Sequence, residues 1–99
     1  MIIVIGKILL HPGRSSEFER ALNTLLPNAR RDDGCISYDF SRDFENPDLV
    51  RFVERWSDMP ALDAHNAQPH LVEFQAAIRQ YLAEPPEIFI YEAADRRTP

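Results

Sequence analysis

Ninety-nine residues, 44% of them hydrophobic and 27% charged, make one ordinary globular domain with no room for a second core. A net charge of −5 leaves no basic face that could neutralise several phosphates, which argues against nucleic acid as a partner. The single cysteine, Cys35, forbids an internal disulfide, and no apolar run reaches the roughly 18 residues of a membrane span.

Met1–Leu10 is nearly all aliphatic, with Ile2, Val4, Ile8 and Leu10 on one side and Ile3, Ile5 and Leu9 on the other. It lacks the basic leader and cleavage site of a signal peptide, so the chain is expected to be cytoplasmic. As a strand without a wet face, it should be covered on both sides. A helix is expected over Arg14–Arg31, with Phe18, Leu22, Leu25, Leu26 and Ala29 as its apolar stripe. Ser16 and Glu19 have capping-box spacing, and Pro27 should kink or fray the last turn. Asp32-Asp33-Gly34 forms the exit turn, with Gly34 as the left-handed residue. A second strand runs over Cys35–Asp43, with Ile36, Tyr38 and Phe40 on one face and Cys35, Ser37 and Asp39 on the other. Glu45-Asn46-Pro47-Asp48 is a hairpin loop of turn-forming residues.

The densest stretch is Val50–Phe74. Val50, Phe52, Glu54 and Trp56 alternate with Arg51, Val53 and Arg55, the period of a strand spanning Leu49–Trp56. Ser57-Asp58-Met59-Pro60 supplies a capping side chain and a proline near the first helical position. Ala61, Leu62 and His65 follow at helical spacing. Pro69 ends that piece and opens a final helix reaching about Ala83. Glu87–Ala93 is a fourth strand rich in β-formers. The domain therefore covers residues 1–95, and 96–99 read as a flexible polar tail.

The order is β-α-β-β-α-β, an α+β fold of the ferredoxin-like type with an antiparallel four-stranded sheet and two helices on one face. The other face stays apolar on the first and last strands. At about 25 cal/mol per Å² an uncovered face is a large loss, and a homodimer closing sheet on sheet is the economical remedy. A ligand cavity between sheet and helices would then be natural.

Gly34-x-x-x-Tyr38, Phe52-Val53-Glu54-x-Trp56, Ala61-Leu62-x-x-His65 and His70-x-x-x-Phe74 resemble the antibiotic biosynthesis monooxygenase family. The resemblance implies a dimeric α+β barrel and, among its activities, oxidation of quinols and anthrones by molecular oxygen. It spans almost the whole chain. Haem-degrading relatives of that fold use an asparagine on the first strand and a tryptophan and a histidine on the second helix. Here the first strand offers Gly6-Lys7 and the only tryptophan lies on a strand, so haem is set aside.

No Gly-rich dinucleotide loop signals flavin or nicotinamide. His11, His65 and His70 match no metal spacing. An oxygenase with no cofactor must use its substrate as reductant. It needs a base titrating near neutrality, an apolar pocket and a hydrogen bond to the developing oxyanion. His65 is the candidate base, assisted by Tyr38 or His70, with Phe52, Trp56 and Phe74 as the substrate-binding wall. The plainer readings are that His65 packs the helix start and bonds Glu54 or a carbonyl, and that His70 lies on the surface. The plainer reading of Trp56 is core, and Glu54 should be paired, by His65, by Arg55 of a second copy or by a backbone amide. The rivals to an oxygenase are a non-enzymatic barrel binding a hydrophobic small molecule, and an isomerase or decarboxylase on the same fold.

Overall fold

The computed structural model describes residues 1–94 and 96–99; the domain boundary expected at Asp95 falls outside them. Four strands, β1 (Ile2–Leu9), β2 (Cys35–Arg42), β3 (Leu49–Trp56) and β4 (Glu87–Glu92), form one antiparallel sheet in the order β2-β3-β1-β4. The helices are α1 (Ser15–Arg30), α2 (Met59–Asn66) and α3 (Pro69–Ile78), the last continued by a 3₁₀ turn over Arg79–Tyr81. The ferredoxin-like α+β arrangement is the one expected, with the second helical region divided at Pro69. No helix among the described residues is long and apolar enough to cross a membrane.

The sheet's inner face carries the core. Ile2, Val4 and Ile8 of β1 and Val50, Phe52, Glu54 and Trp56 of β3 are buried there. They alternate with outward residues as the pleat requires. Phe18, Leu25 and Ala29 of α1, Leu62 of α2, and Leu71, Phe74 and Ile78 of α3 close over them. Gly6 is needed opposite Phe52: a Cβ there would fall inside the phenyl ring. That ring stacks on Phe40, 4.9 Å between centroids.

Three local expectations change. A register shift between Cys35 and Ser37 places Cys35 opposite Trp56 and Tyr38 opposite Glu54. The extra residue of this bulge, Ile36, therefore leaves the face of Tyr38 and Phe40 and is half exposed, while Cys35 packs against the core. At the start of α1 the N-cap is Arg14 and no side chain caps the helix, so Ser16 and Glu19 form no capping box. Pro27 lies inside α1, which continues to Arg30.

The outer face of the sheet bears Ile5, Val53, Phe89 and Tyr91, each 43–51% exposed. The second cover expected over β1 is thus not supplied by this chain. β4 is exposed on both faces, because the helices sit over the β2, β3 and β1 side.

Candidate active site

Local chemistry brings the site together. Asp58 caps α2 by accepting a hydrogen bond from the Ala61 amide at 2.9 Å, and Pro60 sits in the first turn. The helix so aimed points Leu62 and His65, three residues apart, at the sheet. It ends at Asn66, and α3 restarts at Pro69. His65 and His70 therefore flank one tight corner. The exit turn of α1 docks beneath it. Gly34 takes a φ of +81° and its carbonyl accepts from the Ser57 amide at 2.8 Å, an approach that a Cβ would block at Ala61 and Ser57.

That docking delivers Asp32. Its Oδ2 lies 2.7 Å from His65 Nδ1 and 2.7 Å from His70 Nε2. A carboxylate only accepts, so His65 donates through Nδ1, which fixes the tautomer of the neutral ring, and His70 donates to the same oxygen when its Nε2 carries the hydrogen. His65 is 1% exposed. Its ring lies 4.6 Å from that of Trp56 and 5.2 Å from that of Tyr38. Burial pulls its pKa below the ordinary value, outweighing the Asp32 hydrogen bond that pulls the other way.

Between the inner face, α2 and α3 lies a cavity of about 320 Å³, walled by Val4, Ile8, Phe52, Leu71 and Phe74 among others and reaching Ile88 and Ile90 on the uncovered flank of β4. Five polar side chains line it, the buried Tyr38, Glu54 and His65 and the exposed Asn66 and Gln75. Trp56 Nε1–H donates to Glu54 Oε1 at 3.0 Å. Glu54 Oε2, His65 Nε2 and the Tyr38 hydroxyl have no protein partner among the described residues, yet no buried polar atom there is left unpartnered. These three buried side chains therefore each present a polar atom to the cavity.

Their electrostatics differ. Burial pushes Glu54 up to about 7, only partly offset by the Trp56 hydrogen bond. Burial and then the charge of Glu54 push Tyr38 far above its ordinary value, so its hydroxyl is a permanent donor. Near pH 7 the carboxyl of Glu54 is partly protonated while His65 is neutral, the reverse of the usual order. Paired groups whose environments push them apart make an acid and a base.

Of the residues singled out from sequence, Tyr38, His65, Phe52 and Phe74 meet at the cavity. His70 lies behind His65, against Asp32 and in a separate groove between α1 and α3. Trp56 is wholly buried behind Glu54 and His65 and orients them without reaching the cavity surface. Glu54 pairs with an indole, not with a cation or with His65. Asp32, His65 and His70 are the one grouping among the described residues with the donor set of a metal site. The carboxylate oxygen, however, already sits at hydrogen-bond distance between the two nitrogens, a bonded chain rather than a cradle for an ion.

The model of the antibiotic biosynthesis monooxygenase family matches residues 1–77. Over 97 residues the chain is 36% identical to the Synechocystis protein sll1783, covering 98% of this chain and 66% of that protein, just under two thirds of its length. Over 94 residues it is 29% identical to "Putative monooxygenase Rv0793" of Mycobacterium tuberculosis, covering 95% and 92% of the two chains. The solved structure of Rv0793 superposes with a TM-score of 0.89 at 25% identity over 98% of each chain. The structure of a "Putative antibiotic biosynthesis monooxygenase from Nitrosomonas europaea" reaches 0.90 at 18% identity, covering 94% of this chain and 98% of that one, a likeness of fold.

Proposed function

Because the chain belongs to the antibiotic biosynthesis monooxygenase family, we propose that it oxidises a quinol, phenolic or polycyclic aromatic small molecule with molecular oxygen, using no metal or organic cofactor. The observation that carries this reading is the meeting of one permanent donor, one neutral imidazole and one carboxyl titrating near 7 on the inner wall of a largely apolar cavity. Aromatic walls suit a flat ring, and the three polar atoms suit its oxygen substituents.

For a quinol the steps balance without an outside reductant. His65 Nε2 takes a hydroxyl proton, and the Tyr38 hydroxyl donates to the oxyanion formed. The electron-rich ring reduces dioxygen and a carbon–oxygen bond forms, giving a ring peroxide. Glu54, in its protonated form, gives a proton to the distal oxygen. The oxygen–oxygen bond breaks as the carbon loses its hydrogen as a proton. One oxygen atom stays on the ring as a carbonyl, the other leaves as water, and the product is a hydroxyquinone.

These roles fix a pH dependence. Activity requires neutral His65 and protonated Glu54, so it should rise as pH climbs through the lowered His65 pKa and fall as pH passes about 7. Oxygen uptake over a panel of quinols and anthrones, corrected for autoxidation, should show that bell. His65→Ala should lower kcat by about 10²-fold or more, and Glu54→Gln should lower it and abolish the alkaline fall. A rate that instead rises through pH 7 would make Glu54 the base. No uptake with any substrate would favour a binding protein, and turnover under nitrogen an isomerase or decarboxylase.

The proposal extends to assembly. Ile5, Val53, Phe89 and Tyr91 make an apolar outer face, and a homodimer that packs sheet on sheet would bury it.

A further inference from the structure

We propose that Asp32 and His70 form a proton path joining His65, at the cavity wall, to solvent on the far side of α3. The inference deepens the reading of His65 as base and rests on it. A base 1% exposed that takes a proton from a bound ligand must discharge it before the next turnover, and a ligand filling the cavity blocks the route back through Nε2. The other ring nitrogen leads elsewhere. Asp32 Oδ2 lies 2.7 Å from His65 Nδ1 and 2.7 Å from His70 Nε2, one oxygen in contact with both rings. Side-chain exposure rises along the series, from 1% at His65 through 10% at Asp32 to 21% at His70. His70 also lines a groove of about 230 Å³ between α1 and α3, with Thr24, Asn28 and Glu73. Its Nδ1 has no protein partner among the described residues, where no buried polar atom lacks one, so this nitrogen is open to water.

The transfer moves one proton and changes no other bond. His65, protonated at Nε2 from the cavity, passes its Nδ1 hydrogen to Asp32 Oδ2. His70 accepts that hydrogen at Nε2 in the tautomer that carries its own on Nδ1, and releases the latter to water. The carboxylate is regenerated, and each ring, left with its hydrogen on Nε2, returns it to Nδ1 through ring reorientation and exchange with water before the next turnover. Asp32 thereby both fixes the His65 tautomer and carries its proton, and His70 is a relay that never touches the ligand. The charged and titratable neighbours of this chain are Glu54, Tyr38 and Cys35 on the sheet side and Glu73 on the groove side.

His70→Gln separates a relay from a prop, because the amide can still donate to Asp32 but cannot pass a proton on. In the full-length chain labelled with ¹⁵N-histidine, exchange of the His65 Nδ1 hydrogen with water should slow about tenfold or more in His70→Gln, and millimolar imidazole should restore it. With quinol and oxygen, kcat should fall with KM unchanged and be rescued by the same imidazole. Wild-type exchange in a folded His70→Gln protein, or wild-type kcat, overturns the proposal; so does a loss that imidazole fails to restore. The exchange measurement needs no substrate. If the wild-type chain consumes no oxygen, the oxygenase reading fails while the exchange result still decides the relay.

Discussion

Glu54 stands between Phe52 and Trp56 on β3 with 6% of its surface exposed, and burial costs its charged form more than one indole hydrogen bond returns. Its folded pKa of about 7 exceeds its unfolded value of 4.5, so the native state holds the extra proton and stability falls as pH rises between those values. Buried His65 acts with the opposite sign: its folded pKa is lowered, so its contribution grows with pH up to the ordinary histidine range. The difference between wild type and Glu54→Gln isolates the carboxyl. Denaturant unfolding should show wild type losing stability relative to the variant from pH 4.5 to above 7, by roughly 3 kcal/mol at most. A difference flat across that range would place Glu54 in an ordinary carboxylate environment. At this scale the sequence was partly legible. Period two on β3 and helical spacing on α2 mark Phe52, Glu54 and His65 as inward. What Glu54 bonds was not legible, because charge rules look for a cation while the donor was the indole two residues along the same face. Asp32 was hidden further: it lies 33 residues from His65, and its Asp-Asp-Gly setting is fully accounted for by turn chemistry.

The elements that hold the site owe their aim to short-range signals. Asp58 and Pro60 start α2, Pro69 starts α3, and Gly34 lets the α1 exit pass close under both. Asp58→Ala should cost about 1 kcal/mol of stability by removing the cap, and because α2 carries His65 it should also loosen the bond to Asp32. Thermal unfolding and the His65 ring shifts in NMR check the two effects; full retention of both would mean that α2 is held by packing alone. Strand and helix positions were readable because each follows its own period. The β2 bulge was not. A one-residue insertion leaves alternation intact on either side, and only the partner strand shows that Cys35, not Ile36, shares the inner face with Tyr38. The capping box over Ser16 and Glu19 failed for a related reason: the motif was present, but the helix starts two residues earlier than it requires, with Arg14 and not Ser16 at the N-cap.

For the whole molecule, one face of the sheet is sealed by its own helices and the other is not. The lopsided cover was visible in the strands themselves, since β1 and β4 are apolar on both sides while the helices serve one. A sheet-to-sheet homodimer should sediment as such at micromolar concentration, and Val53→Asp with Phe89→Asp should shift it to monomer while leaving the inner-face core untouched. A wild-type chain that stays monomeric would remove that assembly. The cavity reaches Ile88 and Ile90 on the uncovered flank of β4, so in the proposed dimer ligand access and assembly would share one part of the molecule. The most direct test of the chemistry is isotopic. With ¹⁸O₂ and a quinol that the protein turns over, mass spectrometry should find one labelled oxygen atom in the hydroxyquinone and the other in water. Product free of label, or formed equally well under nitrogen, would contradict the oxygenase.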